Sequence, residues 1–381
     1  MEKQSPHTLK IVLFVPSLRG GGAERMIVHL ANEFVNKGAH VELILAHKEG
    51  EYFQEVRKEV RIIDFAKSRV LWTLLPFARY LRKNRPDVLI STLDHANIIA
   101  VFANLLAAKP TKVIVRIANT LSVSLQGTRL HKRLLRRYGA ALFYRFADRI
   151  VTNSNGSADD LAHTLHLDRS QIRVIYNPTV TPNIERKSEE PVVHPWLQDK
   201  TFPVVLAVGR LHVQKDYPTL LRAIALINEK QPVRLIVLGE ELGGGITEKE
   251  KLAALARDLS IADMVDFHGF ATNPYAYMAK ADVYVLSSRW EGLPNTLIEA
   301  MAVGTPVVST DCPSGPSEIL EDGKYGTLVP VGDYEALAQA IQDTVQNPIS
   351  SEELQRRAQL FSSEKATEHY LHLIESITKH D

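Results

Sequence analysis

The chain has one cysteine in 381 residues, Cys312. A single thiol excludes an internal disulfide framework and fits a reducing compartment. No uninterrupted apolar run approaches the roughly 20 residues that a membrane span requires. The apolar stretch from Lys10 to Val15 is too short for the charged-then-apolar layout of a secretory leader. These absences predict a cytoplasmic protein, free or held at the inner face of the cell membrane. There is no helix-turn-helix, zinc-ligand or RNA-binding signature, so nucleic acid is not an expected partner. The dinucleotide fingerprint is missing too. Gly20-Gly21-Gly22 follows the first apolar run, but Gly-x-Gly-x-x-Gly is absent and no acidic residue closes a second strand at the expected place.

What is present is an ordinary globular composition, 45% hydrophobic, with a formal net charge of only +1. That balance conceals an asymmetry. Residues 1–180 hold 27 basic and 15 acidic side chains, and residues 181–381 hold 18 and 29. The first half is therefore expected to meet an anionic partner.

The hydrophobic pattern alternates along the chain. Short apolar runs predict strands at 10–15, 41–46, 61–65, 86–91, 112–116 and 149–152, and again at 204–209, 234–239, 265–269 and 282–286. Helical periodicity predicts helices at 23–36, 70–83, 96–107 and 130–146, and then at 217–229, 248–258, 273–280, 334–344 and 352–377. Strands alternating with helices imply doubly wound parallel sheets. The stretch from Asn177 to Lys200, with Pro178, Pro182, Pro191 and Pro195 among many charges, breaks the pattern. The predicted organisation is one Rossmann-like domain at 1–180, a linker at 181–200 and a second at 201–361.

One block carries the chemistry. From Trp290 it reads Trp-Glu-Gly-Leu-Pro-Asn-Thr-Leu-Ile-Glu-Ala-Met-Ala-Val-Gly-Thr-Pro-Val-Val. A polar loop with Glu291 leads into an apolar helix with Glu299, and then into a Gly-Thr-Pro turn and a β-branched strand. The helix start offers N–H groups and a positive dipole end, which suit a phosphate. Glu299 lies eight residues after Glu291, about two helical turns, and can face the same side. Carboxylates flanking an anion-binding helix end suit a molecule with both hydroxyls and phosphates, such as a nucleotide-sugar. Taken alone, the two glutamates also fit solvated helix charges.

The block resembles the Glu-x7-Glu signature of retaining glycosyltransferases of family 4, which have the GT-B fold of two facing Rossmann-like domains. The resemblance runs through Glu-Gly-Leu-Pro-Asn, Glu-Ala-Met, Gly-Thr-Pro-Val-Val and the segment Asp311 to Leu320, and extends more weakly from Gly20 to about Val331. It implies that the final helix, about 362–381, packs back on the first domain. It also implies that Arg210 and Lys215, in Val-Gly-Arg-Leu and Gln-Lys-Asp, stabilise the departing nucleoside diphosphate. Two fixed cations neutralise charge as the glycosidic bond breaks. No Asp-x-Asp stands where a sugar-nucleotide metal is expected, so no metal and no cofactor is predicted.

By the same resemblance Glu299 accepts hydrogen bonds from ribose. Glu291 holds hydroxyls of the transferred sugar, with backbone support from Gly292, Leu293, Pro294 and Asn295. Thr296 offers a hydroxyl to phosphate, and Gly269-Phe270 packs the base. Gly21 and Gly22 lie near the donor phosphates. Asn119 stands where many relatives carry a histidine, and His95, expected at another strand end, is a second acceptor candidate. With no protein nucleophile evident, the donor's β-phosphate oxygen is expected to take the acceptor proton. Arg129, Lys132, Arg133, Arg136, Arg137, Arg145 and Arg149, interleaved with apolar residues, join Trp72, Leu75, Phe77, Arg79, Arg82 and Lys83 to suggest a basic amphipathic face. It suits either an anionic membrane surface or ordinary solvent over a packed core.

The expected activity is retaining transfer of a hexose or N-acetylhexosamine from a nucleotide-sugar, UDP favoured over GDP. The acceptor is a glycan or lipid-linked acceptor of polysaccharide, O-antigen or lipopolysaccharide synthesis. A nucleotide-sugar 2-epimerase of the same architecture and a non-catalytic nucleotide-sugar-binding homologue remain alternatives.

Overall fold

The computed structural model describes residues 8–19, 21–125, 130–241 and 248–378, with side chains of 125–136 left undescribed. The chain divides into two compact units. The first runs to Pro178 and resumes at Ser363, and the second spans Thr179–Ser362.

The first unit is a seven-stranded sheet in which every paired strand is parallel. Its strands are β1 (Lys10–Val15), β2 (His40–Leu45), β3 (Arg61–Asp64), β4 (Val88–Thr92), β5 (Lys112–Ile117), β6 (Arg149–Thr152) and β7 (Ile172–Val174), ordered 3-2-1-4-5-6-7. Residues of β1 are apolar at successive positions because both faces of the sheet are covered. Val12 and Phe14 enter a core with the helices Leu74–Asn84 and Asp94–Leu106. Ile11, Leu13 and Val15 enter a second core with Gly22–Asn36 and the final helix Ser363–Thr378. That final helix buries Tyr370 and Ile374 there, with the Tyr370 ring edge-on to Phe34 at 6.3 Å.

The second unit repeats the plan with six parallel strands: β8 (Val204–Val208), β9 (Arg234–Leu238), β10 (Val265–Gly269), β11 (Val283–Leu286), β12 (Val307–Thr310) and β13 (Thr327–Val329). Their order is 10-9-8-11-12-13. In each sheet the strand order reverses once, between β1 and β4 and between β8 and β11. In open parallel sheets ligands bind beyond the carboxyl ends of the strands at such a reversal. The fold therefore points to the segments that leave β8 and β11, and in the first unit to those that leave β1 and β4.

Three segments differ from the sequence reading. The 181–200 stretch is no free linker: it forms the short helices Asn183–Ser188 and Pro195–Gln198, which seat Ile184 and Leu197 within the second unit. The helix expected over 352–377 is broken. Ser351–Ala358 ends in a 3-10 turn, Ser362 is extended, and Ser363–Thr378 begins afresh in the first unit. Thr179 and Val180 donate their backbone N–H to Phe361 O at 3.0 Å each, so both passages between units run side by side. Finally, β7 and β13 lie in stretches where no element was expected. Among the described residues no helix is long and apolar enough to cross a membrane.

Candidate functional site

At the carboxyl end of β8 the chain reads Val208-Gly209-Arg210-Leu211 and closes a 3-10 turn at Val213–Lys215, capped by His212 Nδ1 accepting the Gln214 N–H at 3.2 Å. The next strands crowd this exit. Gly239, just past β9, has φ +145°, and a Cβ there would stand 2.0 Å from Gly209 O. Only glycine fits, both for its dihedral and for the space. Gly239→Ala is expected to add about 1–3 kcal/mol of backbone strain plus the clash, whereas Gly332→Ala, at φ +81° with open space around it, adds strain alone. Thermal melting of the two variants checks this: a Gly239→Ala midpoint as high as that of Gly332→Ala would contradict the crowding.

From β11 the chain continues through Ser287 and Ser288 to Glu291, and here the two exits are stitched together. Ser287 Oγ donates to Lys215 O at 2.6 Å, the Arg289 N–H to Gln214 O at 2.8 Å, and Gln214 Nε2 to Trp290 O at 2.9 Å. The stitching sets Lys215 Nζ 2.8 Å from Glu291 Oε1, with side chains 17% and 10% exposed. Ser288 Oγ also donates to Oε1, at 2.7 Å, and Gln214 Nε2 reaches Oε2 at 3.3 Å. Glu291 is thus held by three donors, one of them cationic. Burial first, and then the Glu291 charge, raise the phenol of Tyr217 well above its usual range, so it stays a donor to Gly209 O at 2.8 Å. The same two causes push the Cys312 thiol up to about 12, so it stays protonated and is no nucleophile.

Glu299 lies in the helix Asn295–Ala302 and is 3% exposed. Tyr275 OH donates to its Oε1 at 3.2 Å. Thr296, one residue into that helix, accepts from Tyr284 OH at 2.6 Å, and Pro294 before it has no N–H to give, which corrects the expected backbone contribution of that residue. Asn295 Oδ1 accepts from Thr179 Oγ1 at 3.1 Å. Gly269 ends β10 with φ +91°, and Phe270 after it is 65% exposed rather than packed in the core. Arg210 is exposed and has no side-chain partner among the described residues.

The remaining candidates belong to the first unit. Gly21 and Gly22 open the helix Gly22–Asn36 after β1, and Gly20 lies outside the described residues. Asn119 is exposed in the loop after β5. His95 does not end a strand: β4 stops at Thr92 and His95 sits, exposed, in the first turn of the helix Asp94–Leu106. Both residues nonetheless follow the carboxyl ends of adjacent strands. Beneath them Arg116 is buried at 1% exposure and bonded to Thr92 Oγ1 and Asn177 Oδ1.

Sequence reasoning did not single out Gln214, Tyr275 or Ser288, because their role exists only in contacts between distant segments. One further cluster went unnoticed. His194, Asp266 and His268 bring ligand-type atoms within 4.8 Å of one another. Trp196 N–H points at His194 Nδ1 at 3.2 Å, which leaves the proton on Nε2 and aims it at Asp266 Oδ2, 3.0 Å away. His268 Nδ1 lies 3.2 Å from the same oxygen, and Tyr277 OH 2.9 Å from His268 Nε2. Every group has a complementary partner in this closed chain, which ties the segment before β8 to β10.

Comparison with known proteins identifies the family. Residues 20–181 match the family model described as Glycosyltransferase Family 4, and residues 190–361 the one described as Glycosyl transferases group 1. A Campylobacter jejuni protein named N-acetylgalactosamine-N,N'-diacetylbacillosaminyl-diphospho-undecaprenol 4-alpha-N-acetylgalactosaminyltransferase is 31% identical over 348 residues, 89% of this chain and 90% of that protein. The lipopolysaccharide core biosynthesis glycosyltransferase LpsE of Rhizobium meliloti is 29% identical, covering 94% of this chain and 97% of LpsE. Among solved structures, Anabaena Alr3699/HepE in complex with UDP aligns with a TM-score of 0.79 at 22% identity, over 97% of this chain and 100% of that one. Two parallel α/β units of the GT-B class, the two family models and these alignments lead to one conclusion: the chain belongs to glycosyltransferase family 4.

Proposed function

We propose that the chain transfers a hexose or N-acetylhexosamine from a UDP-sugar to a lipid-linked or glycan acceptor, with retention of anomeric configuration. The observation that carries this reading is the convergence of Lys215, Gln214, Ser288 and Glu291 at the carboxyl ends of β8 and β11, the reversal point of the second sheet. Arg210 and Lys215 meet the diphosphate, and Glu299, steadied by Tyr275, meets the ribose. Glu291, fixed by three protein donors, is oriented toward sugar hydroxyls rather than for attack, and the Cys312 thiol stays protonated. Neither supplies a nucleophile, which favours a donor phosphate oxygen as acceptor of the incoming hydroxyl's proton. The two cations supply the charge that a metal supplies elsewhere, and we infer metal-independent transfer. UDP is favoured because Alr3699/HepE was crystallised with UDP, and a diphospho-undecaprenol acceptor because the Campylobacter jejuni relative is named for one. The test is incubation with α-linked UDP-sugars and a short polyprenyl diphosphate-linked sugar, with the product read by NMR of its anomeric proton. An α-linked product is expected. A β-linked product overturns retention, and conversion of the UDP-sugar to its 2-epimer without acceptor favours the epimerase reading.

The acceptor class calls for a membrane surface, and one face of the first unit suits it. Residues 65–147 hold fifteen basic side chains and only two acidic ones, Asp87 and Asp94. Within that span Leu71, Trp72 and Leu75 are 59%, 58% and 61% exposed, and Tyr138, Leu142 and Phe146 are exposed on the helix layer over the same sheet. Phe77, expected on this face, is instead fully buried in the core. Arg129, Lys132, Arg133 and Arg136, also expected there, have no described side chains. Replacing Trp72 and Leu75 together by Ser removes about 1.5–3 kcal/mol of burial each. It is expected to weaken co-flotation with phosphatidylglycerol vesicles at least tenfold, and unchanged flotation would sink the assignment.

A further inference from the structure

We propose a second anion site in the first unit, at the amino ends of β4 and β5, which takes a phosphate or diphosphate group. A cavity of about 440 Å³ opens there, lined by Arg85, Asn104, Lys109, Thr111, Lys112 and Phe146 among others. It lies at the opposite end of the sheet from His95 and Asn119. Strand β5 begins at Lys112, and β4 one residue after Asp87, and strands of five or six residues separate the two ends by roughly 15–20 Å. The site is therefore distinct from the loops at the carboxyl ends of this sheet.

Two observations point to an anion. First, Arg85 and Lys109 have no carboxylate partner among the described residues, and Lys109 Nζ has only the Phe146 ring, 5.5 Å from its centroid. The two acids on the wall are already engaged by backbone: Asp87 Oδ2 accepts the Lys10 N–H at 2.7 Å, and Asp148 Oδ2 the Val113 N–H at 2.7 Å. Each cation follows the carboxyl end of a helix, Leu74–Asn84 or Asp94–Leu106, where the dipole favours it. The negative helix ends hold the two cations at the cavity, and the attraction for an outside anion comes from the side-chain charges alone.

The backbone presents these cations in left-handed conformations, with φ +42° at Arg85 and φ +68° and +54° at Ala108 and Lys109. This is the usual left-handed closure after a helix end, and it fixes where the two side chains leave the backbone. Second, Thr111, 5% exposed, lines the same cavity, and its hydroxyl, which can donate to an anion, has no hydrogen-bond partner. Asn104 Nδ2 is spent on Thr111 O at 2.8 Å. Buried polar atoms left over on the wall are what a polar ligand or its bound water would satisfy. The volume falls within the range of small-molecule pockets and admits a diphosphate with a small appended group.

The charge could come from a free phosphate ester or from a lipid headgroup, because Leu142 and Phe146 are exposed close by. The test uses the full chain and Arg85→Gly/Lys109→Gly, in which glycine adopts the left-handed backbone without strain and the cations alone are lost. Calorimetric titration with inorganic pyrophosphate should show one site fewer per chain in the variant, with affinity for UDP unchanged. The difference between the two proteins is the readout, so it is independent of whether the donor site in the second unit also binds pyrophosphate. If the source is a lipid, pyrophosphate shows no difference, while vesicles containing phosphatidic acid bind the wild-type chain at least tenfold tighter than the variant. They must also bind tighter than they do a charge-matched control, Lys58→Gln/Arg173→Gln, which is weakened less. No difference in either titration, or an equal loss in the control, overturns the site.

Discussion

Arg210→Ala and Lys215→Ala are each expected to lower turnover by about 10²–10³, the range for one lost charge-stabilising donor, but with different effects on stability. Arg210 is exposed and unpartnered among the described residues, so its truncation should leave the melting temperature unchanged. Lys215 faces Glu291 at 2.8 Å with both side chains largely buried. Removing one partner of such a pair strands the other charge and costs about 3–5 kcal/mol. Lys215→Met combined with Glu291→Leu should recover much of that stability, because both charges leave together, and should recover none of the activity. Steady-state kinetics and melting curves on the four proteins decide the matter. Near-normal turnover in Arg210→Ala and Lys215→Ala would refute the clamp.

The second large effect is expected at Glu299. A hydrogen bond to a charged group contributes about 1.5–3 kcal/mol, so loss of the ribose contact should weaken UDP binding about 10- to 150-fold. Glu299→Gln keeps an acceptor oxygen for Tyr275 OH, which Glu299→Ala does not. Glu299→Ala should therefore also melt lower, while Glu299→Gln loses affinity alone. A UDP analogue without ribose hydroxyls separates the roles: it should bind the wild-type chain weakly and lose nothing further in Glu299→Gln. If the analogue instead loses as much affinity as UDP does, Glu299 acts elsewhere than on ribose.

The parts of this site that were legible in the sequence are those in which one short segment carries both structure and chemistry. The block from Trp290 to Val308 shows its loop, its helix and its strand in order, and Gly209-Arg210 ends a run of five apolar residues that can only be a buried strand. The central strands of both sheets were legible for the same reason, being apolar on both faces. What escaped was short or relational. Strands β7 and β13 have three residues each, too few to show a period. The helices at 183–188 and 195–198 hold few apolar anchors among prolines and charges, which made a docked segment look like a linker. Ser362 breaks the last helix because the chain must leave one unit for the other, and a continuous helical pattern does not reveal that. Lys215 and Glu291 are 76 residues apart, and Gln214, Ser288 and Tyr275 acquire meaning only when the sheet order places β8 beside β11.

The central claim is that the second unit binds a nucleoside diphosphate at the reversal of its sheet through Arg210, Lys215 and Glu299. A ligand that binds only the folded state raises the melting temperature, so the most direct measurement is a thermal-shift panel of UDP, GDP and ADP with their sugar conjugates, run with and without EDTA. The panel is applied to the wild-type chain and to Arg210→Ala/Glu299→Gln. A shift is expected with UDP and its sugars in the wild-type chain, insensitive to EDTA and absent from the double variant. A shift that survives in the double variant, or no shift from any nucleotide, would contradict the claim.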